Sequence, residues 1–359
     1  MRILHVTPFY EPAWGYGGTA RAAAALCRAL AARGHEVIVA TALLDPAHPR
    51  EEHTGRVRVR RFPAIFQRRL VPWAPGLRRF LAELGPVDVA HLHGHRNGMA
   101  VTAAAALAEA SVPFVLQPHG SFPDHGQLRL AKRAFDRAWG GRVMRQARAW
   151  LAVSQAEAQD LPAPADVVGN GVEWRGAAAR RAERDVTTLL FVGNDRPQKR
   201  GQALLALLDQ LPAARLHLVG VFAERFRRPF RRFGARVGFQ GVLGGRPLAD
   251  AYASADLLVH PAVGESFGLA PFEAALFGTP AVVSGGHGCG EWYARAGGCV
   301  IPPDDSRALA QAVAARLSDG EGCRREAGRV AEFARRELCW PRVAAAVEGV
   351  YRRVLGQGD

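Results

Sequence analysis

The chain is poor in the residues that staple small extracellular folds. Five cysteines in 359 residues, Cys27, Cys289, Cys299, Cys323 and Cys339, lie far apart and form no Cys-x-x-Cys pair. That spacing suggests neither a disulfide framework nor a thiolate metal site, and it points to a reducing compartment. Long hydrophobic runs are also missing: no apolar stretch reaches the roughly 18 residues that a membrane-spanning helix needs. Met1-Arg2 passes directly into Ile3-Leu4-His5-Val6-Thr7, which reads as a first strand rather than an export leader, so a cytoplasmic protein is expected. Acidic charge is in deficit, with 33 Asp and Glu against 47 Lys and Arg and a formal net charge of +14. Such an excess favours anionic partners, whether ligand phosphates, acidic lipid headgroups or nucleic acid. Nucleic acid is disfavoured because the basic residues carry no recognised binding fold and no aromatic stacking pattern.

Hydrophobic residues make up 48% of the chain, and its length suits two cores better than one. Short apolar runs alternate with amphipathic segments, the order of parallel α/β architecture. Strands are expected at 2–7, 35–40, 57–61, 87–92, 114–117 and 150–153, and a second series at 188–192, 216–219, 237–239, 257–259, 281–283 and 299–301. A Gly-rich turn leads into a helix that Gly34 ends, and 306–355 is mostly helical in pattern. Residues 1–173 are expected to form one Rossmann-like domain and 187–340 another, joined by an Ala- and Arg-rich connection over 174–186. A C-terminal helix over 341–359 is expected to return to the first domain, and a central interdomain cleft is the natural ligand site.

The turn Gly15-Tyr16-Gly17-Gly18 is not a Gly-x-Gly-x-x-Gly fingerprint, and no acidic residue stands at a ribose position after the second strand, which disfavours a dinucleotide enzyme. Gly17 and Gly18 would let backbone amides approach a phosphate or an acceptor, although a plain tight turn needs the same residues. The densest chemical signal is His260-Pro-Ala-Val-Gly-Glu265-Ser-Phe-Gly-Leu-Ala-Pro-Phe-Glu273. Pro271 suits a first helical turn, which would put Glu273 near a helix N-terminus. A sugar nucleotide presents neighbouring hydroxyls and a diphosphate, so its pocket needs carboxylate acceptors, amide donors and a cation together. Glu265 and the backbone of Ser266, Phe267, Gly268 and Leu269 are candidates for the sugar side, and Glu273 for the ribose. An isolated Glu pair is more often a cap or a salt bridge. His91, His93 and His95 alternate as one face of a strand does and have the look of a metal set. Strand-end packing is the favoured reading, because no further ligand accompanies them and no Asp-x-Asp tract ends a strand.

Glu265 to Glu273, followed by Gly278-Thr-Pro-Ala-Val-Val, resembles the E-x7-E tract of the GT4 family of retaining glycosyltransferases. The likeness runs through His287-Gly-Cys-Gly290-Glu291 and Val168-Gly-Asn-Gly171-Val-Glu173 back to Gly17-Gly18, nearly the whole chain. It implies an α/β protein of the GT-B fold. By position, Glu265 becomes the carboxylate near the donor sugar and Glu273 the one that holds the ribose. Gln117-Pro-His119-Gly120-Ser121 is similar to the family's His-Gly segment, which makes His119 the active-centre histidine. The family commonly has Gly-Arg-Leu and then Lys-Gly gripping the diphosphate. Here Phe191-Val-Gly193-Asn194-Asp195-Arg196-Pro-Gln-Lys199-Arg200-Gly201 keeps Lys199 but places Asn194 where the Arg belongs. Arg196, two residues on, is the candidate to restore that charge, and Gly169 stands where the family's loop has a Pro.

The resemblance thus implies a glycosyltransferase with His119, Glu265 and Lys199 as catalytic groups. It would move a hexosyl unit, with retention, from a nucleotide-sugar to a saccharide, lipid-linked or small-molecule acceptor, without a cofactor or a metal. The segment carrying Arg129, Lys132, Arg133, Asp136, Arg137, Arg142, Arg145 and Arg148 suits either a solvated basic helix or peripheral contact with the anionic inner face of a membrane. Three alternatives stay open: a catalytically silent sugar-nucleotide-binding protein, an epimerase, and a phosphorylase of the same fold, for which no pyridoxal-phosphate lysine setting is recognisable.

Overall fold

The computed structural model describes residues 1–12, 18–65, 72–122, 129–173 and 186–357, so Gly17 and most of the expected connection lie outside the described residues. The chain divides into two compact units, Met1–Gly171 with Trp340–Asp359, and Val172–Cys339.

The first unit is built on eight strands: β1 (Arg2–Thr7), β2 (Glu36–Leu43), β3 (Glu51–Thr54), β4 (Val57–Pro63), β5 (Val89–His93), β6 (Phe114–Gln117), β7 (Ala149–Ala152) and β8 (Asp166–Val167). Their order is β3-β4-β2-β1-β5-β6-β7-β8, parallel throughout except for β3 against β4. Central strands buried on both faces explain the near-continuous apolar runs. Leu4 and Val6 pack with Ile38 and Leu92 on one face, and Ile3 packs with Val37, Val39 and Val89 on the other. At the edge, β3 reads Glu-Glu-His-Thr and is exposed throughout, a polar rim that discourages further strand pairing.

The C-terminal helix Trp340–Val354 supplies Val343, Val347, Val350 and Tyr351 to the second of these cores. It is tied down by Glu348, whose carboxylate accepts from Arg33 at 2.6 Å and lies 3.1 Å from His35. Trp340 fills the space over Gly171, where a Cβ would come within 2.4 Å of the indole. Trp340 therefore groups with the first unit rather than with 187–340, while Val172, whose amide donates to Leu338, groups with the second.

In the second unit, β9 (Thr188–Asn194), β10 (Arg215–Val221), β11 (Val237–Phe239), β12 (Leu257–His260), β13 (Ala281–Ser284) and β14 (Cys299–Ile301) form an all-parallel sheet ordered β11-β10-β9-β12-β13-β14. Both sheets start in the middle, grow to one side, and then cross to the other. The order reverses between β1 and β5 in the first unit and between β9 and β12 in the second. At such a reversal the connections leave toward opposite faces, and the carboxyl ends of the two strands open into a crevice suited to a ligand. No described helix is long and apolar enough to cross a membrane.

Candidate active site

Two loops leave the carboxyl ends of β9 and β12 and meet beside that reversal. After β9, Asn194 Oδ1 accepts from the Arg196 amide at 3.2 Å, and Asp195 Oδ2 accepts from the Ala223 amide at 3.1 Å. Asp195 is thus engaged at the start of the helix Glu224–Arg227, where its charge suits the helix end. The chain then makes a single turn, Pro197–Lys199, with Arg200 left-handed at φ 48° and paired to Asp304 at 2.5 Å. The Val263 amide donates to the Gln198 carbonyl at 2.9 Å, which lashes this turn to the loop after β12. In that arrangement the Lys199 ammonium donates to the Glu265 carboxylate. Arg196 is exposed beside it.

Burial pushes the Glu265 carboxyl upward, but the Lys199 ammonium, through its charge and its hydrogen bond, with the neighbouring His260 adding to the pull, holds it below the ordinary carboxylate value. His260, whose Nε2 lies 3.8 Å from Glu265, is lowered to about 3 by burial and by the Lys199 charge, so it stands as a neutral ring at neutral pH. Beyond Glu265 the backbone amides of Ser266, Phe267, Gly268 and Leu269 donate to no other described residue. They open the helix Leu269–Leu276, whose dipole adds to their positive field. Gly268 sits at φ 72°, and a Cβ there would come within 2.5 Å of Cys289 Sγ. Only glycine permits that turn to lie so close to its neighbour. The Phe267 ring is buried against Phe272 and Trp292.

The helix begins at Leu269, so Pro271, its third residue, lies in the first turn, and Glu273, its fifth, follows just beyond that turn. Glu273 is 5% exposed, and its carboxylate accepts from Tyr252 Oη at 2.6 Å. His287 caps the next helix, Gly288–Arg295, and its Nε2 lies 2.8 Å from the Ala262 carbonyl, bracing the Glu265 loop from behind.

In the first unit, Gly18 is exposed at the start of the helix Gly18–Ala32. His119 follows β6 with φ 53°, a left-handed conformation that a non-glycine residue adopts only when its surroundings hold it there. Glu157 does so, accepting from the Gly120 amide and, at 2.7 Å, from the Val153 amide. Burial raises the Glu157 carboxyl against the pull of those two donors. His119 itself is lowered to about 4 by burial and is a neutral imidazole.

Its Nε2 lies 2.8 Å from His93 Nδ1, and His93 Nε2 lies 3.0 Å from His5 Nδ1. His5, His91 and His93 are the group of described residues whose ligand atoms converge closely enough, within 4.8 Å, to suggest an ion. His91 and His93 stack face to face, with centroids 4.2 Å apart and planes at 8°, so their in-plane lone pairs run parallel. Holding one ion would require a ring to rotate and the His5–His93 hydrogen bond to break. His95 turns away to Ser121 Oγ at 3.2 Å.

Sequence reasoning did not find Tyr252, Glu157 or the clamp in which Arg96 Nε contacts both Asp136 oxygens at 3.0 Å while Nη1 donates to Phe122 O at 3.0 Å. Each acts on a site residue or its loop through distant contacts, and no local motif marks it. Asp136 is the one acid in an otherwise basic segment, and that isolation was the available signal.

Residues 16–173 match the family model described as Glycosyltransferase Family 4, and residues 186–319 the one described as Glycosyl transferases group 1. The sulfoquinovosyl transferase SQD2 of Arabidopsis thaliana is 29% identical over 77% of this chain, which spans 57% of that protein's length. The glycogen synthase of Mycobacterium tuberculosis is 30% identical over 98% of this chain and 94% of its own. Among solved structures, sucrose-phosphate synthase from Thermosynechococcus elongatus superposes with a TM-score of 0.81 at 21% identity, covering 99% of both chains. Anabaena HepE in complex with UDP-glucose does so at 0.75 and 19%, covering 98% of this chain and 99% of its own. The chain therefore belongs to the two-domain glycosyltransferases of the GT-B fold, related to glycosyltransferase family 4 and to the group 1 glycosyl transferases.

Proposed function

We propose that this chain is a retaining glycosyltransferase that moves a hexosyl group from a nucleotide-sugar to a saccharide, lipid-linked or small-molecule acceptor without a metal. The observation that carries the reading is the convergence, beside the reversal between β9 and β12, of the Lys199 ammonium, the Glu265 carboxylate and the amides of Ser266 to Leu269, which have no acceptor among the described residues. An ammonium and a row of amides at a helix start suit a diphosphate leaving group, whose charge grows as the glycosyl bond breaks. Glu265 then exchanges its bond to Lys199 for the hydroxyls of the donor sugar, and Glu273, oriented by Tyr252, takes the ribose. Exposed Arg196 supplies the second cation on the diphosphate. His119 of the first unit serves the transferring sugar, and the backbone of Gly18 suits a phosphate or an acceptor. Attack comes from the leaving-group side, with a phosphate oxygen receiving the acceptor's proton. HepE, crystallised with UDP-glucose, supports a sugar nucleotide as donor.

A lipid-linked acceptor is supported by a basic surface that also shows apolar groups. Leu130 is 80% and Trp139 48% exposed, and the neighbouring Arg129, Arg133, Arg137, Arg142 and Arg145 are exposed as well. That combination suits peripheral contact with anionic lipid at the inner face of a membrane.

A mass-spectrometric screen tests both statements. UDP-, GDP-, ADP- and TDP-sugars are offered first alone, for hydrolysis, and then with mixed saccharide and lipid acceptors. Turnover of at least one donor with a retained anomeric configuration is expected in the presence of EDTA. Folded protein that consumes no donor, or an inverted product, contradicts the reading. Transfer to soluble saccharides but never to lipids removes the membrane role.

A further inference from the structure

His5 within β1, His93 at the end of β5 and His119 just past the end of β6 come from three neighbouring strands beside the reversal in the first sheet, and they form a line rather than a cluster. The centroid separations, 5.3 Å for His5–His93 and 5.1 Å for His93–His119, exceed the N···N distances of 3.0 and 2.8 Å by about the sum of two ring radii. Interplanar angles of 23° and 14° complete the picture of rings set end to end, nearly in one plane, so each contact is a hydrogen bond directed along a ring nitrogen. Burial lowers all three groups, so each ring carries one proton at neutral pH.

Three protons on three neutral rings in line admit two orders. In one, His5 Nδ1–H donates to His93 Nε2 and His93 Nδ1–H donates to His119 Nε2. The other reverses both bonds and places the His5 proton on Nε2. That nitrogen is fully buried, and no acceptor among the described residues reaches it. A buried N–H without a partner is rarer and more costly than a lone pair without one, so the first order prevails. We propose that His5 and His93 are positioning residues that lock His119 in the tautomer with its proton on Nδ1. The Nδ1–H of His119 has no partner among the described residues and is a donor prepared for a ligand oxygen. His119 then binds a hydroxyl or ring oxygen and does not act as a base through Nδ1. This rests on the reading that His119 serves the transferring sugar.

Nitrogen-15 spectra of the full-length protein, labelled at histidine, test the lock at neutral pH, with His119 assigned by the signal lost in His119→Gln. The wild type is expected to show a protonated Nδ1 and an unprotonated Nε2 at His119. His93→Leu, which removes the donor, should shift both nitrogens to the average of a tautomer mixture, and His93→Gln, whose amide donates to Nε2, should restore the wild-type pattern. A wild-type His119 protonated at Nε2 overturns the proposal, and that spectrum suffices if His93→Leu does not fold. An unchanged His119 in a folded His93→Leu protein overturns it equally. In transfer assays His93→Leu should lower kcat about tenfold while KM for the donor stays within about twofold, with His93→Gln near wild type. If the spectra follow expectation while kcat does not move, the tautomer lock stands and the assignment of His119 to the sugar falls.

Discussion

Replacing Lys199 with Met keeps the aliphatic stem that packs beside Gly193 and deletes the charge that holds Glu265 ionised. In the native protein the Glu265 carboxyl lies below its ordinary value of 4.5, because Lys199 and His260 outweigh the effect of burial. A depressed carboxyl stabilises the fold above its unfolded value, and the contribution is lost as pH falls through the folded one. Without Lys199 the first of the downward pulls on Glu265 is gone, and burial, the largest influence on this carboxyl, pushes it up. The sign then reverses, and ionising Glu265 above pH 4.5 destabilises the variant. Side-chain exposures of 21% for Lys199 and 18% for Glu265 let water recover part of the loss, so about 1–3 kcal/mol is expected rather than the full cost of a buried orphan charge. For a unit of this size that corresponds to roughly 2–4 °C in Tm per kcal/mol. Thermal unfolding of wild type, Lys199→Met, Glu265→Gln and the double variant at pH 4 and pH 7 measures it. The Lys199→Met deficit should be larger at pH 7 than at pH 4, and Glu265→Gln should restore about half of it in the double variant. Equal deficits at both pH values, or strict additivity of the two changes, would refute the reasoning.

Gly268→Ala puts a Cβ against Cys289 Sγ in a left-handed backbone, so a loss of about 2 kcal/mol and a fall in turnover are expected in melting and transfer assays. Adding Cys289→Ala should recover part of the stability but not the strain of φ 72°. Burial raises the Glu348 carboxyl, but hydrogen bonds from Arg33 and His35 bring it down to about 2, so its contribution is complete above pH 4.5 and fades as pH falls toward 2. Glu348→Gln should accordingly lower Tm by several degrees at pH 7 and leave it near wild type at pH 2, as followed by circular dichroism.

The parallel α/β pattern was legible because central strands such as β1 and β12 are apolar on both faces, and a run like Leu257-Leu-Val admits little else. The strand β3 was not legible, since Glu51-Glu-His-Thr is polar on both sides and owes its conformation to pairing with β4. At the site, residue types and spacing marked Glu265, Glu273 and Lys199, but their partners are set by tertiary contacts. Glu273 meets Tyr252, 21 residues away, and the turn that carries Lys199 is held to the Glu265 loop by a main-chain bond from Val263 to Gln198. Asp195, an acid within the tract expected to grip the diphosphate, is occupied by the Ala223 amide. The alternation of His91 and His93 correctly implied one strand face, yet only the fold shows that His5 of β1 and His119 of the turn after β6 extend that row.

The central claim is that Lys199 and the amides before the helix Leu269–Leu276 hold the diphosphate of a nucleotide. Titration calorimetry of the wild type and Lys199→Met with UDP, GDP, ADP and TDP, and with the corresponding nucleosides, tests it directly. One diphosphate should bind the wild type at least about tenfold more tightly than its nucleoside, and Lys199→Met should remove most of that difference while leaving the nucleoside's affinity unchanged. No binding of any diphosphate to folded protein, or a Lys199→Met variant that binds as tightly as wild type, would contradict the account.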